Sequence, residues 1–171
     1  MVEGRMTAPI ASRPHMPGYG ILGAGEGTGL LPWSWAQERL EQSHDYWVAT
    51  SGADGRPHLM PVWGVWMDDA LWFSSSRASR KARNLASRPY CAITTDNAYE
   101  PVIVEGEAEV IDDPAAVGPF TERINQKYKT DYPLEFFIRP SNACFRVRPR
   151  WAFSLKESDF IGSPTRWTFP G

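Results

Sequence analysis

The chain has 171 residues, 42% hydrophobic and 13% aromatic, with eight tryptophans and a formal net charge of −2. That length and composition predict one globular domain with a substantial core and exclude a disordered chain. The near-neutral charge excludes general nucleic-acid binding, which needs a net basic face, so a basic cluster here is local and sized for a small anion.

Residues 1–32 hold many Gly and Pro and show neither helical nor strand periodicity. They predict an extended arm, laid over a surface or a neighbouring subunit, ahead of a domain spanning 33–171. Within the arm "GAGEGTG" matches GxGxxG only loosely, with no strand before it and no Lys-Ser/Thr after it, and reads as a flexible segment. A short helix follows, with Ser34 and Gln37 at capping-box spacing and an end before Asp45. Strands are predicted over 46–51 and 56–67, flanking Asp54-Gly55, a strong hairpin signal. Asp68-Asp69 turns the chain into a strand over 70–76. A helix over about Ser79 to Ser87 stops at Arg88-Pro89, because a residue before proline avoids the helical region. Two strands come next, over 90–95 and 101–111. Asp113-Pro114 then opens a helix with Val117, Phe120, Ile124 and Tyr128 on one face. "ACFRVRP" and "RWAFSLK" predict two final strands before the terminal "TRWTF". Hairpin-linked strands, a helical crossover and further strands close most simply as an antiparallel barrel with helices at its corners, a β-rich α+β fold.

Cys91 and Cys144 sit far apart in apolar runs and read as buried free thiols of a reducing cytoplasm. His15, His44 and His58 lack the spacing of a metal triad, and no metal site is expected. No apolar run approaches the roughly 20 residues of a membrane span and no signal peptide opens the chain, so the expectation is a cytoplasmic protein without a membrane role.

The chemistry-bearing stretch is "SSSRASRKARNL", residues 74–85. A helix start is already positive and favours Asp or Glu, yet here it carries cations. Ser74, Ser75 and Ser76 offer neutral donors, Arg80 a bidentate fork, Lys81 a point charge, and the helix its free N–H groups, with Arg77 just ahead of them. Together these suit a phosphate. The other reading is a solvated basic face, which fits Arg83 and Arg88 better. A second stretch, "HLMPVWGVW", runs from His58 through Met60, Pro61, Val62 and Trp63. Pro61 cannot donate to a sheet ladder and Gly64 weakens a strand, so this strand is locally open. It either offers free backbone groups to the edge of a planar heterocycle or is an edge strand with a bulge. No nucleophile elbow and no catalytic acid or base stands out.

"ATSGADGRPHLMPVWGVW", "LWFSSSRASRKARNL" and "VIVEGEAEV", in this order, resemble the pyridoxamine 5′-phosphate oxidase-like split-barrel superfamily. Within it the chain is most similar to the actinobacterial flavin/deazaflavin oxidoreductases that use coenzyme F420. The resemblance covers about residues 34 to 155. It implies a six-stranded antiparallel split β-barrel and a homodimer with two cofactor sites at the subunit interface. Arg80 and Lys81 match the phosphate grip, Ser74 and Ser75 the end of the strand before it, and Met60 to Trp63 the strand lining the flavin ring. Trp151 would wall the ring from the partner subunit. Leu59 and Gly64 stand where the true oxidases place basic residues against the flavin, and their substrate-handling end is not recognisable in "RPRWAFSLK". These departures suit a deazaflavin, for whose acidic tail Arg77, Arg83 or Arg88 would be further partners. The implied activity is hydride transfer from reduced F420 to a small, electron-poor organic acceptor. The alternatives are an FMN-binding flavin reductase or oxidase of the same fold, and a non-catalytic cofactor carrier or haem-binding protein with His58 as axial-ligand candidate.

Overall fold

Asp68 and Asp69 both adopt left-handed backbone, with φ of 52° and 55°. Two such residues in succession make the turn whose twist matches that of the flanking strands. They join β3 (Pro57–Met67) to β4 (Ala70–Ser76). Gly55, with φ +79°, turns the preceding hairpin between β2 (Asp45–Ser51) and β3. The structure, a computed structural model, describes residues 8–170.

The remaining strands are β1 (Ile10–Ser12), β5 (Tyr90–Thr95), β6 (Val102–Ile111), β7 (Asn142–Ser154) and β8 (Thr165–Thr168). They form one antiparallel sheet in the order β1-β8-β7-β4-β3-β2-β5-β6, and β6 pairs back onto β7. That last pairing closes β2 to β7 into a six-stranded barrel, with β8 and β1 added outside the closure. The helices are α1 (Trp33–Gln42), α2 (Arg80–Ser87), α3 (Pro114–Tyr128) and α4 (Leu134–Ile138). The alternation along each strand fills the interior with Tyr46, Val48, Phe73, Ile93, Val104, Phe145 and Val147. A second core lies between α3 and α4 and the far face of β3 and β4, where Val117, Phe120, Ile124 and Phe137 meet Val65 and Trp72. Cys91 and Cys144 are free and buried, and burial pushes both thiols up to about 12.

Several elements depart from the sequence reading. The arm is not wholly irregular, since Ile10–Ser12 is a strand on β8, and residues 1–7 lie outside the described part. Its glycine-rich stretch is tied down. The Arg13 guanidinium donates to the carbonyls of Gly23, Glu26, Gly162 and Pro164, and Thr28 donates its N–H to Asp159. The Ser34–Gln37 capping box does not form. Pro32 is the N-cap of α1, and Gln37 reaches Asp69 instead, 3.0 Å away. The two expected final strands are one strand of 13 residues, β7. Pro149 is tolerated inside it at a bulge, where pairing steps from Glu105↔Trp151 to Gly106↔Pro149 and leaves Arg150 over. A Cβ on Gly106 would lie 2.0 Å from the Arg148 carbonyl oxygen, so only glycine fits.

Candidate functional site

Ser79 caps α2, its hydroxyl accepting the Ala82 N–H at 3.2 Å. The end of β4 is locked to that cap. Ser75 Oγ bonds Ser79 Oγ, Ser76 Oγ accepts the Ala78 N–H at 3.2 Å, and the Arg77 N–H donates to the Ser141 carbonyl at 3.0 Å. The first turn of α2 carries no acidic residue, and the last turn no basic one. None of the ion pairs among the described residues involves Arg77, Arg80 or Lys81. Burial holds the Lys81 ammonium below its ordinary pKa. Burial, then the charges of Arg80 and Lys81, do the same to the His58 imidazolium. Positive charge is therefore concentrated at a helix start, without a counter-charge among the described residues. An anion fits there.

β3 pairs with two different strands along its length. From Pro57 to Trp63 it bonds β2 on one edge, and its other edge meets no strand among the described residues. From Gly64 to Met67 it bonds β4. β4 continues as Ser74–Ser76 against β7, so the two strands diverge after the Gly64↔Phe73 pair. The strand is thus uninterrupted, and it is open in the sense that one edge is free. A cleft of about 280 Å³ occupies the divergence. Pro61, Val62 and Trp63 line one side, Ser74 and Lys81 another. Ile124, Tyr132, Phe136 and Phe137 of the α3–α4 corner form the third. The cleft thus combines a β3 backbone edge, an aromatic wall and, at Lys81, a cationic end.

Five of the twelve residues singled out in the sequence therefore line one cleft: Pro61, Val62, Trp63, Ser74 and Lys81. Met60, Ser76, Arg77 and Arg80 are exposed outside it, while Ser75 and His58 are partly covered. Trp151 is elsewhere. Registers put it in the cross-strand row Leu59, Ala49, Ala92, Glu105, Trp151, about 19 Å from Leu59 at strand spacing. The aromatic wall was missed, because α4 is too short for a periodic signal and its aromatics reach the cleft only through tertiary packing. The signal that was present is "YPLEFFIRP", with two rings between its prolines and a third just before the first.

A family model described as pyridoxamine 5′-phosphate oxidase matches residues 35–156. The chain belongs to that family. The pyridoxamine 5′-phosphate oxidase fold is a flavin-binding one, and its members include oxidoreductases. Among solved structures, one titled F420 Reductase shares 26% identity, covering 66% of this chain and 91% of that one, with a TM-score of 0.55. The conserved hypothetical protein Rv2991 from Mycobacterium tuberculosis superposes with a TM-score of 0.67 at 20% identity, over 82% of this family member and 89% of its own chain. HutZ, titled as a haem storage protein from Vibrio cholerae, shares the fold at 16% identity and a TM-score of 0.57, covering 68% and 88%. No curated protein matches the chain. No helix among the described residues is long and apolar enough to cross a membrane, and no group of three His, Cys, Asp or Glu there could hold a metal ion.

Proposed function

We propose that the protein is a cytoplasmic oxidoreductase that binds coenzyme F420 and passes hydride to a small, electron-poor organic acceptor. The observation that carries this reading is the meeting of two features in one cleft. The free edge of β3 at Pro61 to Trp63 faces the unpaired cations at the start of α2. Lys81 and Ser74, with Arg80 at the rim, would hold the phosphate, and the β3 edge would orient the ring. When bound, F420 supplies hydride chemistry; the protein binds, orients and excludes water. Ile124, Tyr132, Phe136 and Phe137 serve the last role by walling the cleft with apolar surface.

The reading includes a homodimer. Trp47, Leu59 and Tyr90 are 40%, 55% and 45% exposed on the outer face of β2, β3 and β5. Trp151 shares that face through the cross-strand row described above. Packing two copies through it would bring Trp151 to the partner and not to its own cleft.

A second reading, FMN in the same cleft, is favoured by the family itself. Titration of the cofactor-free protein with F420 and FMN side by side, followed by fluorescence, separates the two. Tighter binding of F420, with turnover when reduced F420 and an acceptor panel are supplied, is the expected result. Tighter binding of FMN would transfer the site to a flavin, and tight binding without turnover would make the protein a carrier.

A further inference from the structure

The ladder between β2 and β3 ends at the Asp45↔Trp63 pair. One residue further on, Gly64 turns its N–H and C=O toward an edge where β2 has run out, and α3 supplies the missing partners. Tyr128 Oη accepts the Gly64 N–H at 3.0 Å and donates to the His44 carbonyl. Lys127 Nζ donates to the Gly64 carbonyl at 2.7 Å and to the Ser43 carbonyl at 2.6 Å. Two adjacent side chains thus continue a backbone ladder for one more step. Gly64 has to be glycine for this arrangement, because a Cβ there would stand 2.9 Å from the Trp72 carbonyl oxygen and 3.2 Å from the Tyr46 ring.

The splice has a direct geometric link to the cleft. The Tyr128 ring stacks on Trp63, centroids 4.4 Å apart and planes within 8°. Trp63 lines the cleft on the β3 side and is 48% exposed, with one indole face covered by Tyr128. The same helix carries Ile124, and the chain beyond it carries Tyr132, Phe136 and Phe137, which form the opposing wall. Where α3 ends relative to β3 therefore sets both the angle of the indole and the width of the space.

We propose that Lys127 and Tyr128 are positioning residues, which splice the end of α3 into the β2–β3 ladder and so fix the Trp63 ring and the width of the cleft. Neither lines the cleft itself. A covered peptide group left without a partner is costly, so the groups of Gly64 and Ser43, both buried residues, hold the end of α3 in one register, and the bond to the exposed His44 carbonyl adds to them. A preformed cleft loses less freedom on binding than one that must first be assembled. For its ligand the inference rests on the cofactor reading above.

Labelling with 5-fluorotryptophan gives each of the eight indoles a fluorine resonance, and Trp63→Phe identifies that of Trp63 by its loss. Tyr128→Phe keeps the stacked ring and removes the hydroxyl; Lys127→Met keeps the stem and removes the ammonium. In both, the Trp63 resonance should shift or broaden while the resonances of distant indoles such as Trp167 stay in place, which also shows that the barrel is intact. The Gly64 amide should exchange about tenfold faster or more in Tyr128→Phe, as expected for one lost hydrogen bond. F420 and FMN should each bind about fivefold more weakly or worse to both variants, and ribose 5-phosphate, which reaches only the cationic end, within about twofold of the unmodified protein. Lys127→Arg, which keeps donors at that position, should restore most of the affinity. An unmoved Trp63 resonance overturns the proposal, and so does a moved resonance with unchanged F420 and FMN affinity. If neither cofactor binds the unmodified protein, the cofactor reading fails, and the Trp63 resonance alone then decides for or against the splice.

Discussion

Ser75 Oγ and Ser79 Oγ lie 2.9 Å apart, one at the end of β4 and the other at the N-cap of α2. The contact fixes the helix start against the strand, and the Lys81 ammonium with it. Ser79→Ala removes both this bond and the cap on the Ala82 N–H. It should cost about 1 kcal/mol of stability, the usual value of an N-cap. It should also weaken cofactor binding, because Lys81 loses its support. Thermal unfolding and cofactor titration on the same sample test this; a lower melting temperature with full affinity would show that the cap does not position the cation.

Replacing Arg80 and Lys81 together with Ala should weaken cofactor binding by about 3 kcal/mol or more, the worth of two charge-assisted bonds. The cofactor-free protein should melt at the same temperature or higher, since cations at a helix start oppose its dipole. Unchanged affinity in a fluorescence titration would remove the anion site.

Arg77 and Arg83 should distinguish the cofactors, because a deazaflavin carries carboxylates beyond its phosphate. The Arg83 guanidinium is turned back onto the Ala78 carbonyl, whereas no hydrogen bond or ion pair engages that of Arg77 among the described residues. Arg77→Ala should therefore weaken F420 a few-fold relative to FMN, more than Arg83→Ala does. The difference should shrink in high salt, as for any solvent-exposed pair. Equal losses for both cofactors would assign Arg77 to the phosphate alone.

Lys127 gives a pH dependence of definite sign. Burial lowers its ammonium from 10.5 to about 8, against the opposing pull of Asp45 and Asp96. Between those values the folded chain has released a proton that the unfolded chain retains, so stability rises with pH across that window. Above about pH 9 the two cysteines act the other way, because their thiols stay protonated only when folded. The Lys127 contribution is thus the difference between the unmodified protein and Lys127→Met. From pH 7.5 to 10 the unmodified protein should gain stability relative to the variant in denaturant unfolding. Parallel profiles would contradict the burial.

The outer face of β2, β3 and β5 should be a subunit interface. Trp47 stands across from Pro61 and Thr94, and Leu59 across from Ala49. Sedimentation velocity at micromolar concentration should give a dimer, and Trp47→Glu with Leu59→Asp should give a monomer with unchanged secondary structure. A monomeric unmodified protein would leave Trp151 without a role at the cleft.

What the sequence disclosed is set by the range of the interactions involved. The Asp54-Gly55 hairpin and the stop at Arg88-Pro89 were legible because they depend on the backbone of a few consecutive residues. The serine–arginine–lysine run was legible because cations at a helix start conflict with a local electrostatic rule. The three residues of β1 were not, since their strand partner, β8, lies more than 150 positions away and Ala11 packs on a core built from distant strands. Pro149 hid the continuity of β7, because the bulge that accommodates it depends on Gly106 in another strand. Propensity alone makes Gly64 a weakness in β3, and the constraint that requires glycine there comes from the Trp72 carbonyl and the Tyr46 ring, neither of them local.

The barrel also dictates when it can be completed. β4 and β6 are joined only through β7, which pairs with both. Until residues 142–154 have left the ribosome, β4-β3-β2-β5-β6 is an open sheet with two bare edges. Such edges invite pairing with other chains. Closing the barrel is therefore a long-range step that stitches both edges, and topologies of this kind fold on the millisecond-to-second scale. Over that interval a nascent copy is exposed to strand exchange with its neighbours, so a C-terminally truncated chain should aggregate where the full one stays in solution.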